Sequence, residues 1–135
     1  MINKIATNLR LGTPALEKLT AKKFNDLMAY QKPITLTDES IIKWNLRKGY
    51  NAQVTIGANR TLSLEQLTPG DYGTIKVIQG GAGSFTLTLP TNPVSKVADG
   101  GAGAVTLSTA AGSVDILVFY YDGTNLNWNI SKNYT

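Results

Sequence analysis

From Ile34 onward, apolar residues recur at every second position. Val54 and Ile56, Leu62 and Leu64, Ile75 and Val77, then Phe85, Leu87 and Leu89, then Val105 and Leu107 each share one side, with polar neighbours between them. An extended chain points its side chains alternately to two faces, so this period predicts half-buried strands. Ile42, Trp44 and Leu46 keep the same phase, which assigns Trp44 to the core. Between the runs lie "GAN" at 57–59, "TPGDYG" at 68–73, "TNP" at 91–93 and "ADGG" at 98–101, all of them turn chemistry. Turns spaced about ten residues apart predict a mainly β domain, a sandwich or a barrel.

The stretch "VDILVFYY" at 114–121 departs from this pattern. Ile116, Val118 and Tyr120 on one face are matched by Leu117, Phe119 and Tyr121 on the other. A strand apolar on both faces is covered twice, either by a second protomer or as a central strand beneath a helix. Asp122-Gly123 then supplies a hairpin turn, and "LNWNI" returns with Leu126, Trp128 and Ile130 inward and Asn125, Asn127 and Asn129 outward.

The first quarter has a different period. Thr13 before Pro14 reads as an N-cap followed by a first-turn proline, and Thr20 is a second candidate cap. Phe24, Leu27, Met28 and Gln31 then recur at three and four, the spacing of one helix face, until Pro33 prevents continuation. A helix of about a dozen residues is marginal alone and needs something to pack against. Two segments are therefore expected: a helical arm over 1–33 and an all-β domain over 34–135.

Composition narrows the chemistry. The 135 residues fit one core and an appendage. With no Cys and no His there is no disulfide framework, no thiolate or imidazole metal site, and no Ser/His/Asp or Cys/His nucleophile system. No apolar run is long enough for a signal peptide core or a membrane span, so synthesis in a cytoplasm and no membrane insertion are expected. The net charge of +4 is localised: residues 1–33 carry six cations and two anions, whereas 34–135 carry seven of each. A charge-neutral β region is a poor partner for nucleic acid.

Two copies of "GGAG", at 80–83 and 100–103, raise the possibility of a phosphate-binding loop. Such a loop needs a following helix, and a Walker loop also needs a Lys and a Ser or Thr after its last glycine. Both copies instead run into β patterns, "SFTLTLP" and "AVTLSTA", so they read as turns or as points of close backbone approach. Among nine scattered carboxylates only Asp38 and Glu39 adjoin, and neighbours on an extended chain face apart. "DGTNLNWN" at 122–129 offers Asp122, Asn125 and Asn127 as oxygen ligands for calcium but lacks the EF-hand glycine and terminal Glu; a hairpin with a solvated Asn row is the other reading. Tyr50, Tyr72, Tyr120 and Tyr121 are candidate stacking faces, whereas alternation turns Trp44 and Trp128 inward. No catalytic, cofactor-binding or metal-ligating residue is assigned, and the expected protein is not an enzyme.

The order of these features is recognisable. "IKWNLRKGYNAQVTIGANRTLSLEQLTPGDYGTIKVIQGGAGSFTLTLP" followed by "AVTLSTAAGSVDILVFYYDGTNLNWNI" resembles the β domain of bacteriophage virion fibre and fibre-like structural proteins, over about residues 41–131. The matching anchors are framework positions, among them Gly57, Gly70, Gln79, Gly80, Gly83, Pro90, Asp115, Gly123 and Trp128. "LTAKKFNDL" likewise resembles the helical segment that precedes such domains.

The resemblance implies a jelly-roll-like antiparallel sandwich with a short N-terminal helical anchor, assembled as a homotrimer about a threefold axis on the virion. With no shaft in its 135 residues, the chain is more similar to a small head fibre, such as those on the capsids of crAss-like phages, than to a long tail fibre. Lys4, Arg10, Lys18, Lys22, Lys23, Phe24, Leu27 and Met28 are then the candidate anchor to an acidic capsid or neck surface, although the lysines equally suit a solvated helix face. Ile116, Leu117, Val118, Phe119, Tyr120 and Tyr121 are the candidate trimer interface. The rival function is a host-receptor or glycan-binding module of a tail fibre or baseplate, using Tyr50, Tyr72 or the outward Asn residues, with a host surface glycan as partner.

Overall fold

The computed structural model describes residues 20–26, 28, 31–98 and 103–135. The chain divides into two compact units, Met1–Lys32 and Pro33–Thr135. In the first, residues 20–26, 28 and 31 are helical, and Lys22 bridges to Asp26 one turn on at 2.8 Å. The Thr13-Pro14 start lies outside the described residues.

The second unit is a mainly β sandwich. Its strands are β1 (Ile34–Thr35), β2 (Ile41–Asn45), β3 (Asn51–Ile56), β4 (Arg60–Glu65), β5 (Tyr72–Gln79), β6 (Leu87–Thr88), β7 (Val94–Val97), β8 (Val114–Tyr121) and β9 (Asn125–Tyr134). One sheet has the order β1-β3-β5-β8-β9-β7 and the other β2-β4-β6. The chain thus alternates between the sheets from β1 to β6, and each winding lies on the one before. This makes β1–β3, β3–β5, β2–β4 and β4–β6 parallel, and β7–β9 is parallel too. The antiparallel jelly-roll pairing implied by the resemblance is confined to β5–β8 and β8–β9. A winding chain passes through the opposite sheet before it returns, so neighbours in one sheet run the same way.

The core lies between the sheets. Ile42, Trp44, Leu46, Val54, Ile56, Leu62, Ile75, Val77, Leu117, Leu126 and Trp128 are all buried, as their alternation predicts. Trp44 meets Phe119 edge-on at 5.6 Å, and Phe119 meets Trp128 at 5.0 Å. Both indoles have partners: Trp44 Nε1 donates to Gly49 O (2.9 Å) and Trp128 Nε1 to Ser95 Oγ (3.0 Å). Each such side chain contributes about 1.5–3 kcal/mol by leaving water. Gly73 makes the central contact possible, because a Cβ there would lie 2.7 Å from the Trp44 ring and 2.8 Å from Phe119.

Two alternating runs do not form the strands their period predicts. Of Phe85, Leu87 and Leu89, only Leu87 is in a ladder, because the Gln79 side-chain amide takes both backbone groups of Phe85, accepting from its N–H (3.1 Å) and donating to its carbonyl (2.8 Å). At Val105 and Leu107 the backbone is irregular, and the next N–H, that of Ser108, donates to the Asp115 carboxylate at 2.6 Å. In both places a buried polar side chain replaces a neighbouring strand, and Leu107 still enters the core.

Candidate functional site

Exposed apolar residues gather on the outer face of the six-stranded sheet. Val114, Ile116, Val118 and Tyr120 point outward from β8, opposite the core residues Leu117 and Phe119. Strand register extends this column sideways. Tyr120 lies opposite Tyr72 on β5 and Asn127 on β9, Val118 opposite Thr74 and Asn129, and Ile116 opposite Lys76 and Ser131. Val118 is 43% exposed, Tyr120 53% and Tyr72 59%, whereas Ile116 is half-buried. The result is an apolar column one strand wide, bordered on β9 by amides and a hydroxyl. Tyr72, Val94, Val118, Tyr120 and Tyr134 make up five of the eight exposed large hydrophobic residues among those described, and all five share this face. Apolar side chains gathered in this way, unlike single scattered ones, make this face the candidate contact surface.

This geometry divides the six residues assigned to an interface from sequence. Ile116, Val118 and Tyr120 are on the outer face; Leu117 and Phe119 belong to the protomer's own core, and Tyr121 is half-buried on that inner side. Tyr72 and Tyr134 join the face without a local signal. Counting by twos from Leu126, Trp128 and Ile130 places Tyr134 inward. A bulge between Val114 and Ile116 adds a residue to β9, Asn133 takes a φ of 62°, and Tyr134 turns outward opposite Val114. Of the anchor candidates, Lys22, Lys23, Phe24 and Met28 are exposed, with Phe24 at 60%, while Lys4, Arg10, Lys18 and Leu27 lie outside the described residues.

The candidate chemistry of the carboxylates resolves into framework bonds. Asp122 Oδ1 accepts from the N–H groups of Thr124 (2.8 Å) and Asn125 (2.7 Å), and Oδ2 accepts from the Asn127 amide (3.0 Å). These donors hold its carboxyl below the usual carboxylate range, the Asn125 N–H foremost, and both oxygens serve the hairpin turn. Asp38 receives the Arg60 guanidinium at both oxygens (2.6 and 3.0 Å) and the Gly57 N–H at 3.0 Å, while the adjoining Glu39 is exposed. Asp71, buried, accepts from Arg47 (2.5 Å), Tyr50 (3.3 Å) and the Thr68 N–H (2.7 Å). Tyr50 in turn packs its ring 5.2 Å from that of Tyr72.

The Asp38 pair has a testable pH signature. Its carboxyl is held below the usual range, chiefly by the hydrogen bonds from Arg60. A depressed folded-state pKa adds stability in full above the unfolded value, about pH 4, and loses it as pH falls through the lower folded value. Urea midpoints are therefore expected to hold steady from neutrality to about pH 5 and to fall below about pH 4. Asp38→Asn should lower the neutral midpoint and shrink the acid decline; an identical decline in the variant would remove Asp38 from this role.

The first "GGAG" is a corner. Gly81 and Gly83 have φ of 49° and 75°, and the chain continues into irregular backbone and then β6, with no helix to present N–H groups to a phosphate. Of the second copy, Gly103 has a φ of 77°, and residues 100–102 lie outside the described residues. Among the described residues no three acidic side chains gather as a metal site would require, and no helix is long and apolar enough to cross a membrane. Comparison of the chain with protein-family models, with curated proteins and with solved structures found no match.

Proposed function

We propose that the protein is a non-enzymatic structural component of a bacteriophage virion: a small homotrimeric head fibre, with residues 34–135 as its head and residues 1–33 as its attachment to the capsid or another virion protein. The observation that carries this reading is the outer column Ile116, Val118 and Tyr120, flanked by Tyr72 and by neutral amides. A protomer that packs this face against copies of itself removes clustered apolar side chains from water, and the border at Asn127, Asn129 and Ser131 is uncharged, while Lys76 stands opposite Ile116 on the β5 side. The framework order over 41–131, with turns and core residues where fibre-like domains carry them, supports the same reading. Asp38, Asp71, Asp115 and Asp122 are engaged in holding turns and loops, which suits a scaffold better than a reaction centre.

The test is mass in solution together with one outward substitution. The parent is expected to sediment as a trimer, and Val118→Asp as a folded monomer, because a carboxylate buried without a partner costs several kcal/mol. Val118 points away from the core, so circular dichroism of the variant should be unchanged. A monomeric parent would refute the trimer, and a trimer that survives Val118→Asp would refute this interface. Deletion of residues 1–33 should yield virions without the appendage when imaged.

A further inference from the structure

We infer that the opposite face of the sandwich, on the three-stranded sheet, carries a binding groove for one neutral sugar ring. The groove holds about 270 Å³. Its floor is set by strand register: Ile41 lies opposite Thr61, and Thr61 opposite Thr88, so the three side chains stand in a line across β2, β4 and β6, with Ser63 two residues further along β4. Thr91 and Asn92 rise at one end, and Pro90 and Pro93 form the wall.

Three properties define the ligand. The first is charge: every lining side chain is uncharged, and Lys43, opposite Ser63 in strand register, borders the groove without lining it. The second is hydrogen-bonding type. The hydroxyls of Thr61, Ser63, Thr88 and Thr91 and the Asn92 amide can each donate and accept, and among the described residues these side chains have no internal hydrogen-bond partner. At other corners of the sandwich the Asp38, Asn59, Gln79 and Asp122 side chains are engaged in internal hydrogen bonds. A ligand rich in hydroxyls satisfies such a lining. The third is spacing. Hydroxyls on adjacent strands stand roughly 5 Å apart and those two residues along a strand roughly 7 Å apart, too wide for one small ion and suited to a ring. Ile41, half exposed at 50%, and the prolines offer the apolar contact that the C–H face of a sugar needs.

The wall is held from beneath. Pro90 O accepts from Ser95 Oγ at 2.6 Å, and Ser95 Oγ accepts from the buried Trp128 indole at 3.0 Å. The groove is thereby tied to the core and is formed before any ligand arrives. At just under the usual size of a drug-sized site, its volume suits a single ring. The inference does not rest on trimer formation, because the groove is on the sheet opposite the proposed contact face.

The test is a nuclear magnetic resonance titration of the full chain with glucose, galactose, N-acetylglucosamine and N-acetylgalactosamine, each up to about 50 mM, with glucuronic acid and inorganic phosphate as charged comparisons. At least one neutral sugar is expected to shift the amide signals of residues 61–63, 88, 91, 92, 94 and 95 and leave the outer face of β8 unmoved. Thr61→Val with Thr88→Val keeps the branched shape, removes two hydroxyls and should weaken binding about tenfold or more. Thr55→Val, on the other sheet, should bind as the parent does. Absence of shifts with all four sugars, shifts centred on Tyr72 and Tyr120, stronger binding of either charged probe, or unchanged affinity in the double variant would each overturn the inference.

Discussion

Gly83→Ala is expected to unfold the β unit or to leave it severely destabilised, by about 3 kcal/mol or more. Two penalties coincide at this position. The φ of 75° is a left-handed conformation that costs a residue with a Cβ about 1–2 kcal/mol. The added Cβ would also lie 2.3 Å from Thr109 O and 2.7 Å from Ala111 N. Those are backbone atoms and have no rotamer into which to retreat, so the 109–112 loop must move. That loop is held by hydrogen bonds from Ser84 N to Thr109 O (2.7 Å) and from Gly112 N to Gln79 O (2.7 Å), which a displacement would break. Gly81→Ala in the same quartet is the control: its φ is 49° but its nearest neighbour is 3.9 Å away, so only the conformational cost of about 1–2 kcal/mol remains. Denaturant melts of the two variants measure the difference. Equal losses would mean that the close approach of the two loops does not occur.

Asp115→Ala is expected to cost about 3–5 kcal/mol, the effect of removing a buried carboxylate that accepts three hydrogen bonds. The carboxylate is 2% exposed, and its three bonds secure two separate pieces of chain. Oδ2 accepts from Ser108 N (2.6 Å), and Oδ1 accepts from Ser108 Oγ (2.6 Å) and from Asn133 N (2.8 Å). The 105–108 segment and the bulged end of β9 thus share one anchor in place of a strand ladder. Asp115→Asn is the sharper variant, since it preserves size but turns an amide N–H toward donors and should recover little of the loss. Thermal melts of both, with hydrogen exchange at Ser108 and Asn133, separate this account from simple loss of packing. If the asparagine variant is as stable as the parent, the acceptor role is refuted.

Much of this fold was legible because burial and alternation follow the same physics in any sheet. Trp44 and Trp128 are in the core, and the hairpin at Asp122-Gly123 lies where its turn residues place it. Strand direction was not legible, because a half-buried strand shows the same period two whether its neighbour runs with it or against it. Phe85 and Val105 mislead for another reason: Phe85 takes its backbone partners from the Gln79 side chain, the segment after Val105 is held at Ser108 by Asp115, and a side-chain acceptor leaves no trace in a hydropathy pattern. The outer apolar face was half legible. Ile116, Val118 and Tyr120 stand out in the sequence, but Tyr72 arrives through register and Tyr134 through a one-residue bulge, neither of which composition records.

The winding path from β1 to β6 also bears on how the molecule comes together. In the parallel ladders, Ile34 meets Ala52, Asn51 meets Thr74 and Ile41 meets Thr61, so each closure joins positions about twenty apart and waits on the entropy of a sizeable loop. β8 and β9 meet across a turn of a few residues, the most local pairing among the described strands. Assembly that starts at this hairpin and proceeds backward along the chain meets the least kinetic resistance, which leaves the earliest-synthesised strands to settle last.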